Sequence, residues 1–326
     1  MELDPELTKD WLDFEQFKET YMNVPVEENP NNVLETIPEP VVSVHIITYQ
    51  HVEYIRDAIV GVLMQKTDFP FEIIIGDDES TDGTREICKE YAEKYPDLVR
   101  LFLHKRENNI AILGKPSHIF QYAFNSYNLR GKYIAVCSGD DYWTDPQKLQ
   151  KQVEFMEGNE GISLTYHQVR EKINGEIRSN RKQGFPLPVS VLCKNVFNLL
   201  PDEFLHSINE DNFIYLILEC YGDRAYLNHI KPSVYRIHDK SAWNRDNGSH
   251  RLNYQILSQY SMYKVFRWTK FEEKLAISLV KSIYSLSKLN RQNKFIYLLR
   301  ESKKMDVLKY VVPTIVSMVK GKYLKH

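Results

Sequence analysis

The chain has no apolar run that approaches the ~18–20 residues of a membrane-crossing helix. Its first residues, Met1-Glu2-Leu3-Asp4-Pro5, supply neither the basic nor the apolar portion of a secretory signal. Cysteine is sparse: Cys88, Cys137, Cys193 and Cys220 stand far apart, without a Cys-x-x-Cys spacing, which predicts reduced and mostly buried thiols of a cytoplasmic protein. An excess of either charge is missing as well. The 42 Lys and Arg against 44 Asp and Glu give a formal net charge of −2, which offers no argument for nucleic acid as a bulk partner. Neither an internal repeat nor a low-complexity tract is present. These absences leave a soluble or membrane-peripheral protein of 326 residues whose 43% hydrophobic content suits an ordinary globular core.

Residues 1–40 are acidic and carry Pro25, Pro30, Pro38 and Pro40, with Leu7, Trp11, Phe14 and Phe17 at helical spacing. They predict a short helix followed by an extended arm. Residues 41–49 form a nearly continuous apolar run, as a strand buried on both faces requires. Ile55, Ala58, Ile59, Val62 and Leu63 then follow an amphipathic helical pattern. Strands are predicted again at 71–76, 99–103 and 132–137, alternating with helices marked by Ile87, Tyr91 and Tyr95 and by Ile119, Ala123 and Tyr127. The order is that of a mostly parallel, doubly wound α/β sheet, which places ligands at the carboxyl ends of its strands.

Two acidic clusters fall on that edge: Asp77-Asp78-Glu79 after the second strand, and Ser138-Gly139-Asp140-Asp141-Tyr142-Trp143 after the fourth. Adjacent carboxylates repel unless a cation or several donors offset them, and two such clusters on one edge favour a ligand site over a solvated acidic turn. Asp145 and Pro146 suit the start of the next helix. Farther on, 162–167 alternates like a strand, Asn174-Gly175 suits a hairpin turn, and 233–238 reads as a last strand ending in His238. Glu210 and Asp211 head a predicted helix, where carboxylates also serve as plain caps. From about residue 246 the pattern is helical. Val311, Val312, Ile315, Val316 and Val319, with Lys309, Lys320, Lys322, Lys325 and His326, form a basic amphipathic terminus that either rests on an anionic membrane surface or packs on the main domain.

The first strand, the run Ile73-Ile74-Ile75-Gly76-Asp77-Asp78-Glu79-Ser80-Thr81-Asp82-Gly83, and Ser138 to Pro146 together resemble the family-two glycosyltransferases of GT-A fold. The resemblance covers roughly 41–240. It implies a GT-A domain at 41–245, between an arm at 1–40 and a helical region at 246–326, and inverting transfer of a sugar from a nucleotide-diphosphate donor, with a uridine-diphosphate sugar expected. The acceptor would be a glycan or lipid-linked glycan in surface polysaccharide synthesis, at the cytoplasmic face of the membrane. It further implies Asp141 as the main ligand of Mn2+ or Mg2+, with Asp140 on the ribose or the metal, the cation offsetting charge on the leaving diphosphate. Asp78, beside Asp77, would bind the base and Tyr49 would stack on it, unless Tyr49 is a core residue. Asp211, beside Glu210, would take the acceptor's proton. His238 would touch metal or diphosphate.

Two positions depart from the family's pattern. Gly114-Lys115-Pro116-Ser117-His118 stands where many relatives carry Asn or Arg, and Lys115 either meets a phosphate or is solvated. Trp143 either stacks on a sugar or packs. Two rivals remain at this point. A sugar nucleotidyltransferase would need a glycine-rich basic loop after the first strand, where Tyr49-Gln50-His51-Val52-Glu53 stands instead. A catalytically inactive GT-A domain that binds glycans or partners would show no metal-dependent donor turnover.

Overall fold

The computed structural model describes residues 19, 23–112, 115–173, 175–180, 185–197, 200–207, 209–238, 248–289, 302–303, 305–311 and 314. The helix expected on Leu7 to Phe17, Gly114, Asn174, and the terminal Val312, Ile315, Val316, Val319, Lys320, Lys322, Lys325 and His326 lie outside the described residues.

In chain order the strands are β1 (Glu27–Glu28), β2 (Val42–Thr48), β3 (Phe71–Asp77), β4 (Val99–Leu103), β5 (Ala111–Ile112), β6 (Lys115–Pro116), β7 (Tyr133–Val136), β8 (Ile162–His167), β9 (Val169–Ile173), β10 (Glu176–Asn180), β11 (Leu192–Lys194), β12 (Asp223–Leu227) and β13 (Ser233–Ile237). The helices are α1 (Val33–Thr36), α2 (Ile55–Leu63), α3 (Thr84–Lys94), α4 (Ile119–Tyr127), α5 (Lys148–Glu157), α6 (Glu210–Tyr221), α7 (Gly248–Phe266) and α8 (Glu272–Leu289).

The main sheet runs β1-β4-β3-β2-β7-β11-β8-β12. Pairs β4-β3, β3-β2, β2-β7 and β8-β12 are parallel, while β1 and β11 run against their neighbours. A smaller sheet, β10-β9-β13, lies beside it. The β-branched runs make this possible, because every second residue faces the opposite layer. Val44, Ile46, Ile73 and Ile75 pack with α2, α3 and α5 on one face. Ile74 and Phe102 pack with α4, α6, α7 and α8 on the other. The sheet is thus covered on both faces, and its polar strand ends are left as the place for chemistry.

The first half matches the expected alternation of strands and helices, with ends shifted by a residue or two. The helix after the central acidic motif starts at Lys148 instead of Pro146. Asp145 still ties down its approach, its carboxylate accepting from the backbone N–H groups of Gln147 (3.0 Å) and Lys231 (2.9 Å). In the helical region, Val307 and Val311 are buried against the core shared with α7 and α8. That part of the terminal stretch therefore packs on the protein. Among the described residues no helix is long and apolar enough to cross a membrane.

Candidate functional site

The loop after β7 lies tight against the end of β2. The Gly139 N–H donates to the Ile47 carbonyl at 2.8 Å. A Cβ at this position would stand 2.6 Å from Thr48 Oγ1 and 2.9 Å from His51 Nδ1, so only glycine permits the approach. The two aspartates that follow have different fates. Asp141 is buried, and its Oδ1 accepts the backbone N–H of Arg236 at 2.9 Å. Burial, and then the charge of Asp140, push its carboxyl well above the ordinary range. Asp140 is only partly buried, its side chain 18% exposed, and meets His238 Nε2 at 3.2 Å and His51 Nε2 at 3.9 Å. Burial would raise its pKa, but the His238 hydrogen bond and the two imidazoles outweigh that and lower it.

His238 is itself well fixed. Tyr142 and Val234 exchange backbone hydrogen bonds at 3.2 and 2.9 Å, which pins β13 to the acidic loop. Arg236 donates to the Asp140 carbonyl at 2.8 Å, pairs with Asp57 of α2, and lies 4.5 Å over the Tyr142 ring. The ring of Tyr54 sits 4.8 Å from that of His238.

Asp77 and Asp78 divide their work in the same way. Asp77 is buried and bound by Arg85 Nε at 2.5 Å, which makes it a structural anchor. Asp78 accepts from Arg106 Nη1 at 2.6 Å and from Asn109 Nδ2 at 3.0 Å on each of its oxygens. Burial raises its carboxyl to about 6, against the pull of Asn109 and Arg106. The Arg106 guanidinium lies 4.2 Å from the centre of the half-buried Tyr49 ring. Tyr49, Asp78, Arg106 and Asn109 therefore form one patch with a π face, a carboxylate acceptor and amide and guanidinium donors. The remaining acids of this run are spent on the fold: Glu79 accepts the backbone N–H of Arg106 (2.9 Å), and Asp82 those of Val52 (3.1 Å) and Thr84 (3.0 Å).

Across the cleft, Glu210 and Asp211 occupy the first turn of α6. Asp211 is raised to about 6 by burial and by Glu210. Glu210 Oε1 meets His118 Nε2 at 2.8 Å.

Of the two readings of Trp143, packing is the one the structure bears out, and the sugar contact is withdrawn. Trp143 is 1% exposed, packed in the core beneath α2, with Lys148 Nζ 4.2 Å over its ring, so no face remains for a sugar. Lys115 lies in β6, and its side chain is outside the described atoms. Sequence reasoning missed Arg106, Asn109, His51, Arg236 and His118. His51 and His118 stood in loops noted for other reasons and Arg236 within the last predicted strand, while Arg106 and Asn109 came from a polar loop without periodicity.

The donor set at Asp140 is a carboxylate, which suits Mg2+ or Mn2+, with imidazole nitrogens, which suit transition metals and so favour Mn2+ of the two. Among the described residues no group of three or more His, Cys, Asp or Glu is placed to hold a metal ion. Such residues fit a cation that takes most of its ligands from substrate phosphates and water and only one or two from the protein.

The sequence profile described as glycosyl transferase family 2 matches residues 43–210. An uncharacterized protein of Mycobacterium tuberculosis, Rv1520, is 44% identical over 124 residues, which is 38% of this chain and 34% of that protein. The Bacillus subtilis putative teichuronic acid biosynthesis glycosyltransferase TuaG is 36% identical over 118 residues, 36% of this chain and 42% of TuaG. The segments matched thus span well under half of these relatives. Among solved structures, Staphylococcus aureus TarS 1–349 in complex with UDP superposes with a TM-score of 0.51 at 16% identity, over 78% of this chain and 74% of that one. This likeness shows the fold.

Proposed function

The chain belongs to glycosyl transferase family 2, and from that membership we propose a metal-dependent inverting enzyme that uses a uridine-diphosphate sugar. One observation carries the reading: Asp140 and His238, 98 residues apart, meet at 3.2 Å at the strand ends that also present Tyr49 and Asp78. The GT-A unit is proposed to span 41–245, with the helices from 246 completing its core.

The base of the donor would stack on Tyr49, and Asp78 would accept an N–H from its edge while Arg106 and Asn109 hold the carboxylate in place. An ionised acceptor at this point suits the N–H of uracil, and the presence of UDP in the similar TarS structure supports the same choice. The diphosphate would lie toward Asp140, His238 and His51. Asp140, the cleft-facing member of its pair, is assigned the cation with His238; Asp141 serves by holding the strand that carries Arg236 and His238. A bound Mn2+ or Mg2+ would offset charge on the departing diphosphate. Asp211 would remove the proton from the acceptor hydroxyl as its oxygen attacks the anomeric carbon. With one carboxylate acting at the sugar, the reaction is a single displacement with inversion. The teichuronic acid assignment of TuaG supports an acceptor among cell-surface glycans, reached from the cytoplasmic side of the membrane.

The first test is a thermal-shift comparison of UDP and GDP, each with manganese and with chelator. Binding to the folded state alone raises Tm by mass action. A UDP shift that chelator removes is expected. A GDP shift alone would change the donor class, and no shift with either would replace the enzyme by a binding module.

A further inference from the structure

His118 stands among three carboxylates drawn from separate parts of the fold. The histidine precedes α4, Glu210 and Asp211 head α6, and Asp78 follows the last residue of β3. Its Nε2 lies 2.8 Å from Glu210 Oε1, across 92 residues of chain. The other Glu210 oxygen, Oε2, is buried and has no hydrogen-bond partner among the described residues. The imidazole therefore provides the compensation this carboxylate receives. On the helix sides, the buried phenols of Tyr122 and Tyr215 face the same acids and are kept neutral, first by burial and then by the nearby negative charges.

A base beside the cleft has to be ionised near neutral pH, and an adjacent carboxylate works against that. We infer that His118 is a positioning residue of the transfer reaction: by binding Glu210 at the head of α6, it offsets the charge beside Asp211 and so holds Asp211 ready to accept a proton. The inference rests on Asp211 being the base. Its electrostatic direction agrees with the surroundings. Burial would lower the His118 pKa, but Glu210, Asp78 and Asp211 more than offset this and raise it. His118 in turn opposes the upward push on Asp211.

The test uses the full chain and needs no acceptor. The His118 ring is followed by 15N NMR in the unaltered protein, and the Asp211 carboxyl by 13C NMR, assigned by its loss in D211N. The His118 midpoint should lie above the ordinary ~6.5. H118Q should move the Asp211 midpoint up by about 1 unit, H118K should bring it back, and H118Q should have a smaller effect in an E210Q background. A His118 midpoint below 6.5, or an Asp211 midpoint unmoved in H118Q, overturns the inference. Manganese-dependent release of UDP from UDP-N-acetylglucosamine, measured in D211N, judges the base separately. Undiminished release there removes the base assignment, while the NMR titrations still decide whether His118 controls Asp211.

Discussion

The proposed donor end and the proposed acceptor end of the cleft each hold paired carboxylates, but they offset the charge differently. At the donor end the anchors are arginines and backbone: Arg85 on Asp77, Arg106 on Asp78, and the Arg236 N–H on Asp141. Arginine stays charged at every pH the protein meets, so that scaffold is permanent. At the acceptor end the partner of Glu210 is a histidine, whose charge changes within the physiological range. The arginine anchors are therefore fixed, whereas the contact of His118 with Glu210 is adjustable. Within each pair, one member is tied into the fold and its neighbour is left for the cleft.

The sharpest way to break this division is to exchange the members. D211N should leave the manganese-dependent UDP shift intact and reduce sugar transfer by about 10²–10⁴-fold, the usual worth of a general base; an equal loss of UDP binding would place Asp211 at the donor end. D140A should abolish the chelator-sensitive UDP shift while the free protein keeps its Tm. D141A should instead destabilise the free protein by about 1–3 kcal/mol, because it strands a buried N–H, and urea titration would read that loss. R106A should weaken UDP binding about tenfold by calorimetry, through loss of a charge-assisted hydrogen bond to Asp78, with the deficit largest at acid pH.

The smallest expected effect concerns pH. Transfer should fall as pH drops through about 6, where Asp211 and Asp78 take up protons. The stability contribution of these two groups has the opposite sign. Their folded pKa values lie above the unfolded ~3.9, so the folded state binds more protons between about 4 and 6 and their contribution declines as pH rises through that window. For His118, raised when folded, the contribution is full below ~6.5 and is lost as pH climbs through the raised value. Denaturant titrations of D78N and D211N across pH 4–8 would separate these slopes.

The layered sheet was readable because runs such as Ile73-Ile74-Ile75 are dictated by local chemistry: both faces must be apolar when helices cover both. The acidic pairs were readable for a similar reason, since adjacent charges at a strand end are costly without a role. Which member of a pair faces the cleft was not readable. Asp140 and Asp141 are the same residue one step apart, and only the position of β13 distinguishes them. Arg106, Asn109 and His118 acquire their meaning from partners 28, 31 and 92 residues away, a distance that no local pattern encodes. Trp143 resembled a ligand contact because it adjoins the acidic motif, yet Gly61 of α2 lies so close to its backbone that a Cβ there would stand 3.0 Å from Trp143 N.

The backbone bridge between Tyr142 and Val234 also bears on how the protein is made. Asp140 and Asp141 leave the ribosome well before Arg236 and His238, which follow 95 and 98 residues later. At ordinary translation speeds that interval is roughly 5–20 s. Throughout it Asp140 has only His51 of its two imidazole partners, and the backbone N–H that Asp141 accepts has not yet been synthesised. A product stalled before Ser233 would hold the acidic loop without the strand that steadies it, so the Asp140–His238 contact forms only once β13 has been made.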